Sequence, residues 1–167
     1  MKVKDFNELY LTWLLDIKSL EEQLVKSLPK VAEKATNPNL KNAILAHHQQ
    51  TENHLARVEL LLTRNGQSTH APKCDAMAGI IKEVDEIIHE VEPGSLLDAA
   101  IVGAAQKVEH YEIATYGTAA QFAKLLGLTD DVATLELTLS EEYGADDHLT
   151  AIAKAGVNSQ AMSVVGR

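Results

Sequence analysis

The chain has 167 residues, of which 24 are acidic and 15 basic, giving a formal charge of −9. This length suits one domain, and a chain with 46% hydrophobic and 23% charged residues has an ordinary globular composition. The acidic surplus disfavours a protein that follows a nucleic-acid backbone, since such proteins need an excess of Lys and Arg. With no signal peptide and no apolar run of about 18 residues, we expect neither secretion nor a membrane span. The single Cys74 favours the reducing cytoplasm, because it has no intramolecular disulfide partner.

Four long helices are predicted from the spacing of the apolar residues. Clusters of Pro and Gly divide the chain into segments in which apolar residues recur every three or four positions, the period of an amphipathic helix. The predicted helices run from about Asp5 to Lys34, from Asn37-Pro38-Asn39 to Asn65-Gly66, from Leu96 to Leu126 and from Thr129 to Ala155.

A long connection separates the second predicted helix from the third. Within it, Met77, Ile80, Val84, Ile87 and Val91 have helical spacing and predict a shorter helix. Four long helices with this connection indicate an all-α fold, a ferritin-like four-helix bundle with a short extra helix in the crossover. We expect one domain over residues 1–156 and a flexible C-terminal tail over 157–167, where small and polar residues dominate.

Each long helix carries an ionisable residue where its apolar stripe calls for an aliphatic one. These residues are Glu21, His48, Glu109 with Glu112, and Glu142 with Asp146. A buried carboxylate costs several kcal/mol unless it is paired or bound to a metal. Four helices that meet along one axis would bring these groups together, and divalent cations would remove their repulsion. Iron and manganese accept such carboxylate and imidazole ligands. The sequence therefore predicts two divalent metal ions, iron or manganese, in the bundle core.

The ligand on the second helix stays open at this point. His48 and Glu52 share a helix face, but the Glu-x-x-His spacing typical of dimetal bundles is missing. His48 is equally well explained as a core histidine with a hydrogen-bond partner, and Glu52 as a solvated residue. Four other histidines are expected at the surface or behind the ligands, namely His47, His54, His110 and His148, and Glu141 is expected to point to solvent.

Several motifs together resemble one family of bacterial proteins. They are Gln106-Lys107-Val108-Glu109-His110-Tyr111-Glu112, Glu21-x-Gln23-Leu24 with Leu28-Pro29-Lys30, Cys74-x-x-Met77-x-Gly79-Ile80-Ile81, and Thr138-Leu139-x-Glu141-Glu142-x-x-Ala145-Asp146. With them, the chain resembles the YciE/YciF family of ferritin-like proteins from about Val3 to Ala153. The resemblance implies a ferritin-like fold, a metal-binding bundle core, a homodimer and a link to bacterial stress responses.

The resemblance also implies metal ligands. The positions that match are Glu21, Glu109, Glu112, Glu142 and Asp146. On the second helix the family pattern is His48 with Thr51 and Arg57, and members often have Glu where this chain has Gln49 and Gln50. That departure leaves the second-helix ligand unsettled, so Glu52 is only a candidate there.

Two classes of function fit these observations. The first is a dimetal-carboxylate protein that reacts with peroxide or dioxygen, or handles iron, during stress. The alternative is a non-catalytic stress-related scaffold or partner-binding bundle, and a hollow iron-storage shell is a weaker third. No motif for a serine nucleophile or a phosphate loop is present. We expect a homodimer without nucleic acid or membrane partners; apolar residues on more than one face of the first helix support this expectation, namely Phe6, Leu9, Leu11, Trp13 and Leu14.

Overall fold

The computed structural model describes residues 2–164, and this part of the chain contains helices and turns but no strand. The α-helices are α1 (Phe6–Lys34), α2 (Pro38–Arg64), α3 (Asp75–Glu90), α4 (Ser95–Leu125), α5 (Thr129–Ile152) and α6 (Asn158–Met162). The predicted all-α bundle with a short helix in the crossover is confirmed, and the four long helices lie close to their predicted bounds. None of the helices in residues 2–164 is long and apolar enough to cross a membrane.

Local side-chain chemistry explains where the first two helices begin. The carboxylate of Asp5 accepts a hydrogen bond from the backbone N–H of Glu8, which caps α1. The side chain of Asn37 caps α2 in the same way, and Pro38 occupies the first turn, where it loses no helical hydrogen bond. The buried carboxylate of Asp98 accepts hydrogen bonds from the backbone of Thr36 and Asn37. This contact ties the corner between α1 and α2 to the start of α4.

The four long helices form two antiparallel hairpins, α1 with α2 and α4 with α5. The start of α1 meets the end of α4, where Phe6 and Phe122 pack edge to face, and the end of α1 meets the start of α4 through Thr36 and Asp98. α1 and α4 are therefore antiparallel, so α2 and α4 are parallel. A parallel pair needs a connection as long as the bundle, and α3 lies in that connection, packed against α1 and α4.

The C-terminal segment differs from the predicted flexible tail. A π-helical turn, Ala153–Val157, leads from α5 into α6. Gly156 has a φ of +149°, a conformation that favours glycine, and it redirects the chain at this point. α6 then packs against α4 and buries Val157 and Ala161, so the helix extends the core past residue 156. Residues 165–167 of the predicted tail lie outside the described part of the chain.

Candidate metal centre

Six ionisable side chains meet in the middle of the bundle, and all of them are buried. They come from all four long helices: Glu21 from α1, His47 and His54 from α2, Glu109 and Glu112 from α4, and Glu142 from α5. Each of them replaces an aliphatic core residue. The centre therefore exists only when the two hairpins are packed together.

The six residues form two overlapping groups of four. One group contains Glu21 and His54, the other contains His47 and Glu109, and both contain Glu112 and Glu142. Within each group, one donor atom from every residue lies within 4.8 Å of the others. Two ions held in this way would share two carboxylates, as in the dimetal sites of ferritin-like bundles.

The distances around His47 suit ligands around an ion better than hydrogen bonds. Its Nε2 lies 3.4 Å from Glu109 Oε1 and 3.6 Å from Glu112 Oε2. Its Nδ1 lies 3.9 Å from Glu142 Oε2. Donor atoms that are each about 2.1 Å from one metal ion lie about 3–3.5 Å from one another. His47 Nε2 is therefore near that spacing from Glu109 and Glu112, whereas the Glu142 contact is made with the other ring nitrogen.

The second group is tighter and fully enclosed. His54 Nδ1 lies 2.8 Å from Glu142 Oε1 and 3.7 Å from Glu21 Oε1. His54 Nδ1 and Glu142 Oε1 are close but are not aligned for a hydrogen bond. Nδ1 and both Glu142 oxygens therefore have no hydrogen-bond partner. The hydroxyl of Tyr116 donates a hydrogen bond to Glu21, which orients that carboxylate and leaves its other oxygen unpartnered.

Unpartnered buried polar atoms are concentrated at this centre. In the described chain, nine buried side-chain nitrogen and oxygen atoms lack a hydrogen-bond partner, and all nine belong to these six residues. Folded proteins pair the large majority of their buried polar atoms, so such a concentration needs a physical reason. Imidazole nitrogens and carboxylate oxygens are the donors that iron and manganese accept. The residues present therefore fit a pair of divalent ions.

Burial stabilises the protonated form of three carboxyl groups in the centre, those of Glu21, Glu109 and Glu112. It raises the pKa of Glu109 to about 9, with nearby His47 opposing the shift and Glu112 adding to it. The pKa values of Glu21 and Glu112 are also raised, first by burial and then by the charge of neighbouring carboxylates. A metal ion must therefore displace protons from this centre when it binds.

Residues outside the two groups hold His54 in place. Glu141 Oε2 lies 2.8 Å from His54 Nε2, and Arg57 donates hydrogen bonds to both oxygens of Glu141 and to Thr138. Although burial raises the pKa of Glu141, Arg57 and His54 outweigh it and hold that pKa below its usual value. A charged Glu141 favours a proton on His54 Nε2, and Nδ1 faces the carboxylates of the centre. Although burial opposes the shift, these carboxylates raise the pKa of His54. The expectation that Glu141 points to solvent is wrong.

Three of the predicted ligand positions lie outside both groups. His48 is half-buried, with Nε2 3.1 Å from the carbonyl oxygen of Val25, and Glu52 is exposed. Asp146 accepts a hydrogen bond from Gln106 at 3.0 Å, outside the centre. Glu21, Glu109, Glu112 and Glu142 lie where the sequence places them, together in the core.

The histidines were misplaced because the register of α2 is ambiguous in sequence. The predicted stripe steps from Ile44 to His48 and from Thr51 to Leu55, whereas the buried positions are Leu40, Ile44, His47, Thr51, His54, Val58, Leu61 and Leu62. Steps of three and of four both fit a helix with about 3.6 residues per turn. The missed signal is the seven-residue spacing of His47 and His54, which returns to the same face after two turns. The expectation that they lie at the surface or behind the ligands is wrong, since both are buried among the carboxylates of the centre.

Comparisons with known proteins identify relatives with the same fold and the family to which the chain is similar. A family model described as a domain of unknown function, DUF892, matches residues 5–162. Protein YciF of Escherichia coli K12 is 38% identical over 162 residues, which cover 96% of this chain and 98% of YciF. The resemblance to the YciF family is thereby confirmed.

Solved structures agree with this result. The crystal structure of the E. coli stress protein YciF superposes with a TM-score of 0.89 and covers 93% of this chain and 99% of its own. YcfI of Rhodopseudomonas palustris is 40% identical, with a TM-score of 0.86 and coverage of 89% and 95%. A Xanthomonas campestris protein, 21% identical, with a TM-score of 0.73 and coverage of 92% and 94%, shares the fold.

Proposed function

The chain belongs to the DUF892 family, the family of its relative YciF, and from that premise we propose that it is a dimetal-carboxylate protein. Its bundle core binds two divalent ions, iron or manganese. His47 and Glu109 would hold one ion and Glu21 and His54 would hold the other, while Glu112 and Glu142 belong to both groups.

The observation that carries this proposal is the confinement of every unpartnered buried side-chain atom in residues 2–164 to these six residues. A cluster that served packing alone would pair its carboxylates with donors, as Asp98 is paired with the backbone of Thr36 and Asn37. Leaving so many acceptors unpaired costs about 1–3 kcal/mol for each group. Metal binding would remove this cost, because the unpartnered atoms would become ligands.

The protein acts in a stress response, by reacting with peroxide or dioxygen or by handling iron. Support comes from its similarity to E. coli YciF, which is described as a stress protein. Iron or manganese bound at this centre would supply the redox chemistry that such a reaction needs. The Tyr116 hydroxyl orients Glu21, and Glu141 orients His54. Glu21 and His54 are fully buried, so bulk water does not reach them. The free, buried Cys74 suits a cytoplasmic location.

A non-catalytic structural role is the second candidate, and the raised pKa values favour it. Protonated Glu21, Glu109 and Glu112 remove most of the repulsion without any metal. The relative YcfI is described as a candidate structural protein, which agrees with such a role. In this case the bundle would serve as a scaffold, and its buried carboxyl groups would hold protons instead of metal ions.

Metal analysis of protein purified without chelators separates the two candidates. We expect two equivalents of iron or manganese per chain, and the His47→Gln variant should lose at least one. The neighbouring His48→Gln variant is the matched control, since His48 lies outside both groups and should keep both ions. Stopped-flow mixing of the loaded protein with peroxide then tests reactivity. Metal-free protein that gains no stability from added iron or manganese would favour the structural role.

A further inference from the structure

A solvent cleft leads to one half of the metal centre and not to the other. It has a volume of about 480 Å³ and lies between α2 and α5, with its floor on α1 and α4. His47 and Glu109 line its inner end, while the exposed residues Gln49, Asn53 and Gly144 line its outer part. Glu21 and His54 do not line it, and neither has any exposed surface.

The cleft exists because the residues along it are small. Five of the lining residues are Ala43, Ala46, Ala105, Gly144 and Ala145. Side chains of this size leave the space between α2 and α5 unfilled. The other half of the centre is closed instead by large groups: the ring of Tyr116 packs edge to face on His54, with ring centroids 6.1 Å apart.

The inner end of the cleft presents free donor atoms. Both ring nitrogens of His47 and the Oε2 atom of Glu109 have no hydrogen-bond partner, although His47 is 6% and Glu109 2% exposed. The wall of the cleft is polar, because Gln49, Gln50, Asn53 and His148 line it. Such a wall can replace part of the water shell of a cation as it moves inward.

We propose that this cleft is the access route to the metal centre and makes the two ions unequal. The ion held by His47 and Glu109 exchanges with solvent through the cleft, whereas the ion held by Glu21 and His54 is enclosed and exchanges slowly. A small polar reactant that uses the same route meets the His47 position first. This inference rests on the proposed dimetal function.

Release of manganese from the loaded protein into excess EDTA tests the proposal. We expect two phases of equal amplitude, one ion per chain in each. The Gly144→Leu variant narrows the cleft and should slow the fast phase by about tenfold, equivalent to a barrier about 1.4 kcal/mol higher. A Cβ added at Gly144 meets no atom within 4 Å, so the first atom of the new side chain has room. The slow phase and the final metal content should stay the same.

Gly103→Leu is the matched control for this variant. Gly103 is an exposed helical glycine with equal room for a Cβ, but it does not line the cleft. A second pair repeats the comparison on α2, with Asn53→Trp in the cleft wall and Glu52→Trp beside it on the outer surface. Only the cleft members of the two pairs should slow the fast phase, and circular dichroism should show all four variants folded.

The outcomes distinguish this proposal from the function on which it rests. If the protein binds two manganese ions but releases them in a single phase, the cleft is not a selective route and the inference is wrong. The same holds if cleft and control variants slow release equally. If neither manganese nor iron binds, the dimetal function itself fails.

Discussion

The Glu112→Gln variant gives the sharpest test of the metal centre. Glu112 belongs to both groups of four, has no exposed surface, and neither of its carboxylate oxygens has a hydrogen-bond partner. Glutamine has nearly the same shape but no negative charge. The substitution therefore removes a shared ligand without opening a cavity.

Metal-dependent stability is the quantity to measure. A ligand that binds only the native state at a hundredfold excess over its dissociation constant adds about 2.7 kcal/mol to the free energy of unfolding. We expect iron or manganese to produce such a gain in the unmodified protein at neutral pH, and Glu112→Gln to lose most of it. Without metal, the variant should be as stable as the unmodified protein or more stable, because burial and Glu142 raise the pKa of Glu112, whereas glutamine is neutral without taking up a proton. Urea unfolding with metal and with chelator measures both quantities.

Asp146→Asn is the matched control for Glu112→Gln. Asp146 was also a predicted ligand, but it lies outside both groups of four, half-buried beside Gln106. Its variant should keep the full metal-dependent gain. The metal-site interpretation is refuted if Glu112→Gln destabilises the metal-free protein and leaves the metal content unchanged, since Glu112 would then be a structural partner.

Four further predictions concern pH, ligand orientation and assembly. Folded, metal-free protein keeps a proton on Glu109 up to a pH of about 9, whereas the unfolded chain releases it near 4.5, so stability should fall by up to about 1.4 kcal/mol per pH unit across this interval. Urea unfolding of the metal-free protein at several pH values measures this slope, and a flat profile would contradict it. The metal-dependent gain should shrink in acid, where protons compete for the ligands; metal titrations at two pH values test this. Glu141→Gln should weaken metal binding about 10- to 100-fold by releasing His54, measured by calorimetry against Glu52→Gln. Sedimentation should give a dimer mass, and a monomer at all micromolar concentrations would exclude the dimer.

The sequence by itself determines the helices and much of the core chemistry. The apolar spacing and the caps at Asp5 and Asn37 mark the helix ends because these signals act within a few residues of the chain. The long connection with its own helical spacing indicates the crossover topology. Glu21 could be placed in the core because it lies between Ile17 and Leu24 on one buried helix face.

Packing between helices decided which histidines of α2 are buried, how Glu141 is paired and why α6 forms. On α2 the sequence allows either His47 or His48 to follow Ile44 on the buried face, and only the positions of α4 and α5 select His47 and then His54. The pairing of Glu141 with Arg57 joins residues 84 positions apart, which no local pattern reveals. α6 likewise folds because α4 offers a surface that buries its few apolar side chains. Local periodicity sets which residues are candidates for the core, but the neighbouring helices choose among candidates one position apart.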